Sequence, residues 1–310
     1  MRYWSISVLV GLLFLFQVGS VALATDVVQW WDQYNRAGDH LYKEGKYLEV
    51  QQIWEKSLTE AKRLGPESHE LATSFSNLAM VQSSLGHPEA ALPLQLKATA
   101  LMEKIMGPES DQTAATLVNL AECYRNLQDF KEAVPLYKRA LAILKNTIGL
   151  NNHDAVLTMS NLALCYKKSG QWKESEIEYS NVLKRAEDVL TANDSLIGLI
   201  CTNFGQLYND EGKLPEAEIM LKRAIEIQQR SPEPDLFGMA VAMNDLAEVY
   251  GTENKTDEAK VLYKQALDLV KKNLGTASPN YMKMLAEFVA FLSSHGQAKE
   301  AKKVFEDYSH

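Results

Sequence analysis

The sequence repeats itself every 42 residues, and this period constrains the fold more than any other feature of the chain. Counting in steps of 42 from Asn77 gives a polar residue each time, followed directly by Leu or Phe. The six polar positions are Asn77, Asn119, Asn161, Asn203, Asp245 and Glu287. Internal periods of roughly 20–50 residues are typical of arrays in which one supersecondary unit is copied along the chain. We therefore expect a repeat architecture instead of one central core.

Apolar residues within each unit have helical spacing. In the copy at Asn119, large residues stand at Leu117 and Leu120, a small one at Ala121 and an aromatic one at Tyr124. Positions i, i+3, i+4 and i+7 lie on one face of a helix. The pattern predicts an amphipathic helix with one residue kept small so that another helix can approach closely.

A second helical stretch follows in each unit and has its own series of small residues. These are Ala91, Ala133, Ser175, Ala217, Ala259 and Ala301. Turn-forming stretches such as "LGHPEA" and "EGKLPEA" separate the two helices of a unit. Strand-like alternation of any length is absent from the sequence between them. Each unit is therefore predicted to be a helix–turn–helix pair, and the chain to be all-α.

Seven such units fit the sequence. A diverged first copy has Gly38, Val50 and Trp54 in the matching places, at an offset of 41 residues. One unit cannot bury its apolar face alone, so stacked units share a core and the terminal ones act as caps. We predict one solenoid domain over residues 25–310. It comprises a diverged cap at 30–64, regular repeats at 68–274 and a C-terminal cap at 278–310.

These repeats resemble the tetratricopeptide repeat, in the 42-residue form of the kinesin light chain subfamily. The resemblance rests on "NLAECYRNLQDFKEAVPLYKRALAI" and on a G-x-x-x-H linker, seen at Gly65–His69 and Gly149–His153. It covers the chain from about residue 35 to the end. It implies an α-solenoid, a right-handed superhelix of about seven helix–turn–helix repeats, whose first helices line a concave groove.

The N-terminal stretch differs from the repeats. Arg2 precedes an apolar run, and "VALA" places Ala22 and Ala24 in an A-x-A arrangement. This is the pattern of a secretory signal peptide over residues 1–24, cleaved after Ala24. The predicted location is then the bacterial periplasm or the exterior. The alternative is an uncleaved membrane anchor, because residues 6–24 are just long enough to span a bilayer.

Neither composition nor motifs indicate catalysis, a cofactor or a metal. The chain carries a net charge of −8, which argues against non-specific binding to nucleic acid. The phosphate-loop, nucleophile-elbow and zinc-protease motifs are absent from the sequence. Cys123, Cys165 and Cys201 have no metal or redox spacing, and their slots predict small buried packing residues. We expect a protein that is not an enzyme.

The repeated asparagines are the candidate site. Asn77, Asn119, Asn161 and Asn203 lie one position off the core stripe, where they should face the groove. An amide both donates and accepts hydrogen bonds, so a row of amides can pair with an extended peptide. The resemblance implies the same role, because asparagine at this slot contacts ligands in peptide-binding tetratricopeptide domains. Hydrogen bonding between neighbouring helices is the alternative.

Three basic residues at the end of the same helices modify this prediction. Arg125, Lys167 and Lys168 would favour a partner with an acidic segment, as in kinesin light chains, or would form an ordinary solvated face. The leading hypothesis is an exported scaffold that binds a peptide segment of a protein partner in its groove. The alternatives are a membrane-held structural subunit of an envelope or secretory complex, and a cytosolic kinesin light chain-like adaptor if the N-terminal stretch is not a signal.

Overall fold

The computed structural model describes residues 25–308, which form fourteen helices and no strand. The predicted signal peptide, residues 1–24, lies outside the described residues. None of the described helices is long and apolar enough to cross a membrane. The helices are α1 (25–43), α2 (Tyr47–Arg63), α3 (His69–Ser84), α4 (Pro88–Met106), α5 (Asp111–Asn126), α6 (Phe130–Thr147), α7 (His153–Lys168), α8 (Trp172–Val189), α9 (Ser195–Asp210), α10 (Leu214–Arg230), α11 (Leu236–Thr252), α12 (Thr256–Leu274), α13 (Pro279–Ser294) and α14 (Ala298–Tyr308).

The helices form seven helix–turn–helix pairs in two compact units. The first unit ends at Gly149 and contains α1 to α6, and the second begins at Leu150 and contains α7 to α14. In the second unit each helix packs on the next, and the first helices of successive pairs also touch, α7 on α9, α9 on α11 and α11 on α13. In the first unit α3 touches α5 in the same way. The predicted all-α repeat fold is confirmed, while the caps and the single 25–310 domain stay predictions.

The small residues of the repeat are buried where helices meet. Ala121 on α5 and Ala133 on α6 have no exposed surface. Gly205 on α9 shows why size matters, since a Cβ atom there would lie 2.7 Å from Cγ of Leu221 on α10. Ser175, the one hydroxyl in the second series, is also buried and donates to the carbonyl oxygen of Ala163 at 2.9 Å. The predicted reason for small residues, close approach of two helices, is confirmed.

Most first helices begin with a capping side chain. The Ser68 hydroxyl accepts a hydrogen bond from the backbone N–H of Leu71, and Ser110 caps α5 in the same way. Asn152 caps α7 through the N–H of Ala155 at 2.9 Å. These side chains satisfy N–H groups that the first turn of a helix leaves unpaired. The helix starts are thus fixed by local chemistry that recurs with the 42-residue period.

The turn inside each pair needs a left-handed residue at one fixed slot. Glycine fills it at five places, Gly45, Gly86, Gly170, Gly212 and Gly296, each with φ between 73° and 82°. Gln128 and Asn254 occupy the same slot with φ of 61°. Side chains other than glycine adopt this conformation at a cost of about 1–2 kcal/mol. The turns at Gln128 and Asn254 therefore form at a higher free-energy cost than the turns with glycine.

All three cysteines are buried, and none of them forms a disulfide bond. Burial raises the pKa of the Cys123 thiol to about 11, and it does the same for Cys201. Thiols react as thiolates, so these groups are poor nucleophiles at neutral pH. The prediction that the cysteines fill packing positions is confirmed.

Candidate functional site

Two amides of the predicted row join neighbouring repeats. Nδ2 of Asn77 on α3 donates to Oδ1 of Asn35 on α1 at 3.1 Å. Nδ2 of Asn119 on α5 donates to Oγ of Ser76 on α3, also at 3.1 Å. Each donor thus reaches the first helix of the preceding pair. The alternative of hydrogen bonding between helices is observed for these two residues, although Asn119 remains exposed.

The other two amides of the row lie in the second unit. Asn161 is half-buried on α7, and Asn203 is half-buried on α9. Contact of any member of the row with a partner stays a prediction. Asn35, the acceptor for Asn77, was not predicted. It lies 42 residues before Asn77, but the first copy was aligned at an offset of 41, which hid the match.

Of the three predicted basic residues, Lys167 is not available to a partner. Its side chain is 5% exposed, and its Nζ lies 2.9 Å from Oδ2 of Asp210 on α9. Burial lowers the pKa of Lys167, and the hydrogen bond with Asp210 opposes that change. Lys168 is exposed in the second unit, and Arg125 is half-buried at the end of α5 in the first. A surface for an acidic segment would rest on these two residues.

A cleft of about 200 Å³ lies between α3 and α5 in the first unit. Its walls are mostly hydroxyl and amide groups. The lining residues are Tyr42, Ser76, Met80, Ser83, Ser84, Gln95, Asn119, Glu122, Cys123 and Asn126. Asn119 is the one predicted site residue among them. We call this the first cleft.

A larger cleft of about 590 Å³ lies between α11 and α13 in the second unit. Its walls carry two carboxylates and three aromatic or imidazole rings. The lining residues are Asn244, Glu248, Gly251, Thr252, Tyr263, Glu287, Ala290, Phe291, Ser294 and His295. We call this the second cleft. Its volume falls in the range of about 300–1,000 Å³ that is usual for ligand sites.

The two clefts occupy the same slots of the repeat. Nine of the ten residues that line the first cleft have a counterpart exactly four repeats later, 168 residues on, in the second. Ser76 corresponds to Asn244, for example, and Gln95 to Tyr263. Both clefts are therefore products of the repeat itself, formed where two successive first helices meet. We call the side of the first helices that lines them the first-helix face.

The first cleft is a hydrogen-bonding surface with one half-buried acid, Glu122. Oγ of Ser76 accepts from Asn119 and donates to Oε1 of Gln95 at 2.9 Å. Burial raises the pKa of Glu122, and the charge of Arg125 opposes this rise. Such a wall offers donors and acceptors of moderate strength, which suits a polypeptide backbone.

The second cleft is acidic and aromatic. Oε2 of Glu287 accepts a hydrogen bond from Nδ2 of Asn244 at 2.9 Å. Burial raises the pKa of Glu248, and the neighbouring charge of Glu287 raises it further. The rings of Tyr263 and Phe291 form the floor, with centroids 5.1 Å apart.

A glycine makes this floor possible. A Cβ atom on Gly251 would lie 2.7 Å from the Phe291 ring, so any larger residue would push the ring away. His295 closes the end of the cleft, with Nδ1 2.9 Å from the carbonyl oxygen of Phe291 and Nε2 3.3 Å from that of Gly251. The sequence does contain a signal for this cleft. Glycine replaces Arg125 and Lys167 of earlier repeats, and Phe291 replaces Cys123 and Cys165.

Comparison with protein families decides the assignment. The tetratricopeptide repeat family matches at residues 33–104, 89–146, 112–188, 154–226 and 196–272, which together span 33–272. The chain belongs to the tetratricopeptide repeat family. Tetratricopeptide repeats generally form protein-interaction scaffolds, not catalytic sites. A comparison with curated protein sequences finds no significant match.

Several solved structures share the fold at low sequence identity. BtubC (BKLC) from P. vanneervenii is 20% identical with a TM-score of 0.62, over 71% of this chain and 89% of its own. A kinesin light chain candidate from Podosopora anserina, with nearly identical TPR-like repeats, is 21% identical with a TM-score of 0.55, over 67% and 99%. NprR, in complex with its cognate peptide NprX, is 17% identical with a TM-score of 0.62, over 88% and 75%. These similarities confirm the predicted tetratricopeptide-type solenoid fold.

Proposed function

We propose that this tetratricopeptide repeat protein binds a peptide segment of a partner protein along its first-helix face. The observation that carries the proposal is the repeated cleft, which uses nine equivalent slots in both units. The repeat presents the same group of slots in each unit, and each recess by itself can receive a segment of an extended chain.

The chemistry of the slots supports the same proposal. The first cleft offers hydroxyl and amide groups, which can pair with backbone groups of an extended segment whatever its sequence. The second cleft offers pockets for side chains, which would supply specificity. NprR, which shares the fold, is known in complex with a peptide.

The test is selection of peptides by the full-length chain. A displayed library of random twelve-residue peptides is enriched on the protein, and the affinity of the selected peptides is measured by fluorescence anisotropy. Two variants then fill the clefts: Asn126→Trp at the first and Ala290→Trp at the second. Both positions are exposed and line a cleft. We expect at least one variant to weaken binding about tenfold, equivalent to about 1.4 kcal/mol.

Asn181→Trp is the matched control. Asn181 is exposed on α8, the second helix of its pair, away from the lining residues of both clefts. This variant should bind the peptides like the wild type. Failure to enrich any peptide, or equal binding by all three variants, would count against the first-helix face as the site.

We also propose that the mature protein is exported. The support is the arrangement of the charge, the apolar run and the A-x-A sequence in residues 1–24. Mass spectrometry of the N-terminal peptide from the native host is the test, and a start at Thr25 is expected. An intact N-terminus would leave the membrane-held subunit or the cytosolic adaptor as the alternatives.

A further inference from the structure

The second cleft has more negative charge than its own cations offset. Glu248 and Glu287 line it, and Asp210 also raises the pKa of Glu248 through its charge. The charged side chains around it are Lys167, Asp210, Asp245, Glu248, Lys283 and Glu287. Lys167 forms its ion pair with Asp210, outside the cleft lining. Lys283 lies 3.8 Å from Glu287, but it is 76% exposed, so solvent screens that pair.

A buried acceptor in the cleft wall has no hydrogen-bond donor. Asn244 is 8% exposed, and its Oδ1 has no partner among the described residues. The orientation of the amide is fixed, because its Nδ2 donates to Glu287. Buried acceptors are nearly always paired in folded proteins. A donor supplied from outside the chain would complete this site, and Asn244 is one of the residues that line the cleft.

The aromatic rings at the base of the second cleft add a third property that a ligand must match. The rings of Tyr263 and Phe291 give the cleft an apolar base beneath its carboxylates. A cation over an aromatic face is attracted by the negative face of the ring, and a long aliphatic stem can pack against the same rings. Acceptors on the wall and rings on the floor together select a ligand group that donates hydrogen bonds, carries positive charge and has an apolar stem.

We propose that the second cleft binds an arginine or lysine side chain of the partner peptide. Guanidinium and ammonium groups donate hydrogen bonds and accept none. They would pair with the carboxylates of Glu248 and Glu287 and with Oδ1 of Asn244, while the stem lies on Phe291. This inference rests on the proposed function, and it specifies a basic anchor residue in place of the acidic segment expected from the sequence.

The experiment uses four capped seven-residue peptides that differ only at the central position. That position is arginine, lysine, methionine or glutamate, and each peptide carries the same N-terminal dye. Binding to the full-length chain is followed by fluorescence anisotropy up to about 1 mM peptide. The arginine and lysine peptides should bind about tenfold tighter than the methionine peptide, and the glutamate peptide should bind most weakly.

The variant Glu248→Gln/Glu287→Gln tests the site directly. It keeps the shape of both side chains and removes repulsion between two acids, so the fold is not put at risk. The preference for arginine over methionine should drop below about threefold. Glu216→Gln, the same change at an exposed position on α10, should leave the preference intact. Ala290→Arg provides an independent check, because an arginine on the cleft wall should compete with the peptide.

Three results would overturn the inference. One is equal binding of the methionine and arginine peptides, another is tightest binding of the glutamate peptide, and the third is no binding of any of the four. The proposed function has its own test in the random library. If that library yields binders without basic residues, peptide binding stands and only the basic anchor fails. If it yields no binder, both fail.

Discussion

At the scale of single residues, the ionisable groups on the first-helix face behave unlike surface charges. Lys167 and Asp245 lie between first helices, where each pairs with a side chain of a neighbouring repeat, Asp210 and Gln206 respectively. The carboxylate of Asp245 accepts a hydrogen bond from Nε2 of Gln206 at 2.7 Å. Burial nevertheless raises the pKa of Asp245 from its ordinary 3.8 to about 7. The charge on this side chain therefore opposes folding.

The stability of the second unit should consequently depend on pH through Asp245. Between pH 4 and pH 7 the folded chain keeps a proton that the unfolded chain has lost, so stability falls as pH rises through this window. Below pH 4 both states are protonated, and above pH 7 both are ionised, so the fall ends there. Asp245→Asn should remove this fall and stabilise the protein at pH 8 by roughly 1–4 kcal/mol. At pH 4 the variant and the wild type should be similar.

Urea denaturation at pH 4 and pH 8 measures the difference. The matched control is Asp188→Asn, because Asp188 is exposed near the end of α8. Asp188→Asn should change the free energy of unfolding by a similarly small amount at pH 4 and at pH 8. An Asp245→Asn effect of the same size at pH 4 and pH 8 would contradict the burial of a protonated carboxyl.

At the scale of helices and turns, the unusual positions are the two turns that close without glycine. Gln128 joins α5 to α6 with φ of 61°, at the slot where five other turns have glycine. Its side chain is exposed, so little packing is lost when it is removed. Gln128→Gly should raise the free energy of unfolding by roughly 0.5–1 kcal/mol, because glycine adopts this conformation without steric cost.

Thermal unfolding followed by circular dichroism tests this expectation. Gln265→Gly is the control, since Gln265 is exposed in the middle of helix α12, where glycine should destabilise by about 1 kcal/mol. The two glutamine-to-glycine changes should therefore have opposite signs. A lower melting temperature for Gln128→Gly would show that the side chain stabilises the turn in some other way.

The helices and turns could be predicted from the sequence because the pattern of each helix recurs six or seven times along the chain. It did not predict that Lys167 would be buried. Its partner Asp210 is 43 residues away on the next first helix, and only the distance between the two helices decides whether the pair is covered. The second cleft was missed for a similar reason. Gly251 and Phe291 have meaning only once α11 and α13 are seen in contact.

At the scale of the whole molecule, each compact unit contains at least one buried thiol that reports on its integrity. Cys123 belongs to the first unit, and Cys165 and Cys201 belong to the second. With pKa values of about 11 for Cys123 and Cys201, roughly 0.1% of each thiol is ionised at pH 8. The folded protein should therefore react slowly with a thiol reagent, and the protein around each thiol also blocks access of the reagent.

Labelling with iodoacetamide at pH 8 should give less than one modified cysteine per chain over an hour, and three after denaturation in urea. Peptide mapping at intermediate urea concentrations then separates opening of the first unit, reported by Cys123, from opening of the second, reported by Cys165 and Cys201. Glutathione is the control for reagent activity. Rapid labelling of any of the three thiols in the native protein would contradict the assignment of the cysteines as packing residues.

The two equivalent clefts have a consequence for how such a protein changes over generations. A duplication of one 42-residue stretch copies a helix pair together with the residues that it contributes to a recess. Each duplication therefore also adds a recess. Single substitutions at the lining slots can then diversify each copy, as hydroxyl and amide groups in one recess and carboxylates and rings in the other illustrate. Recognition can thus evolve one recess at a time, while the alanines that hold the helices together stay as they are.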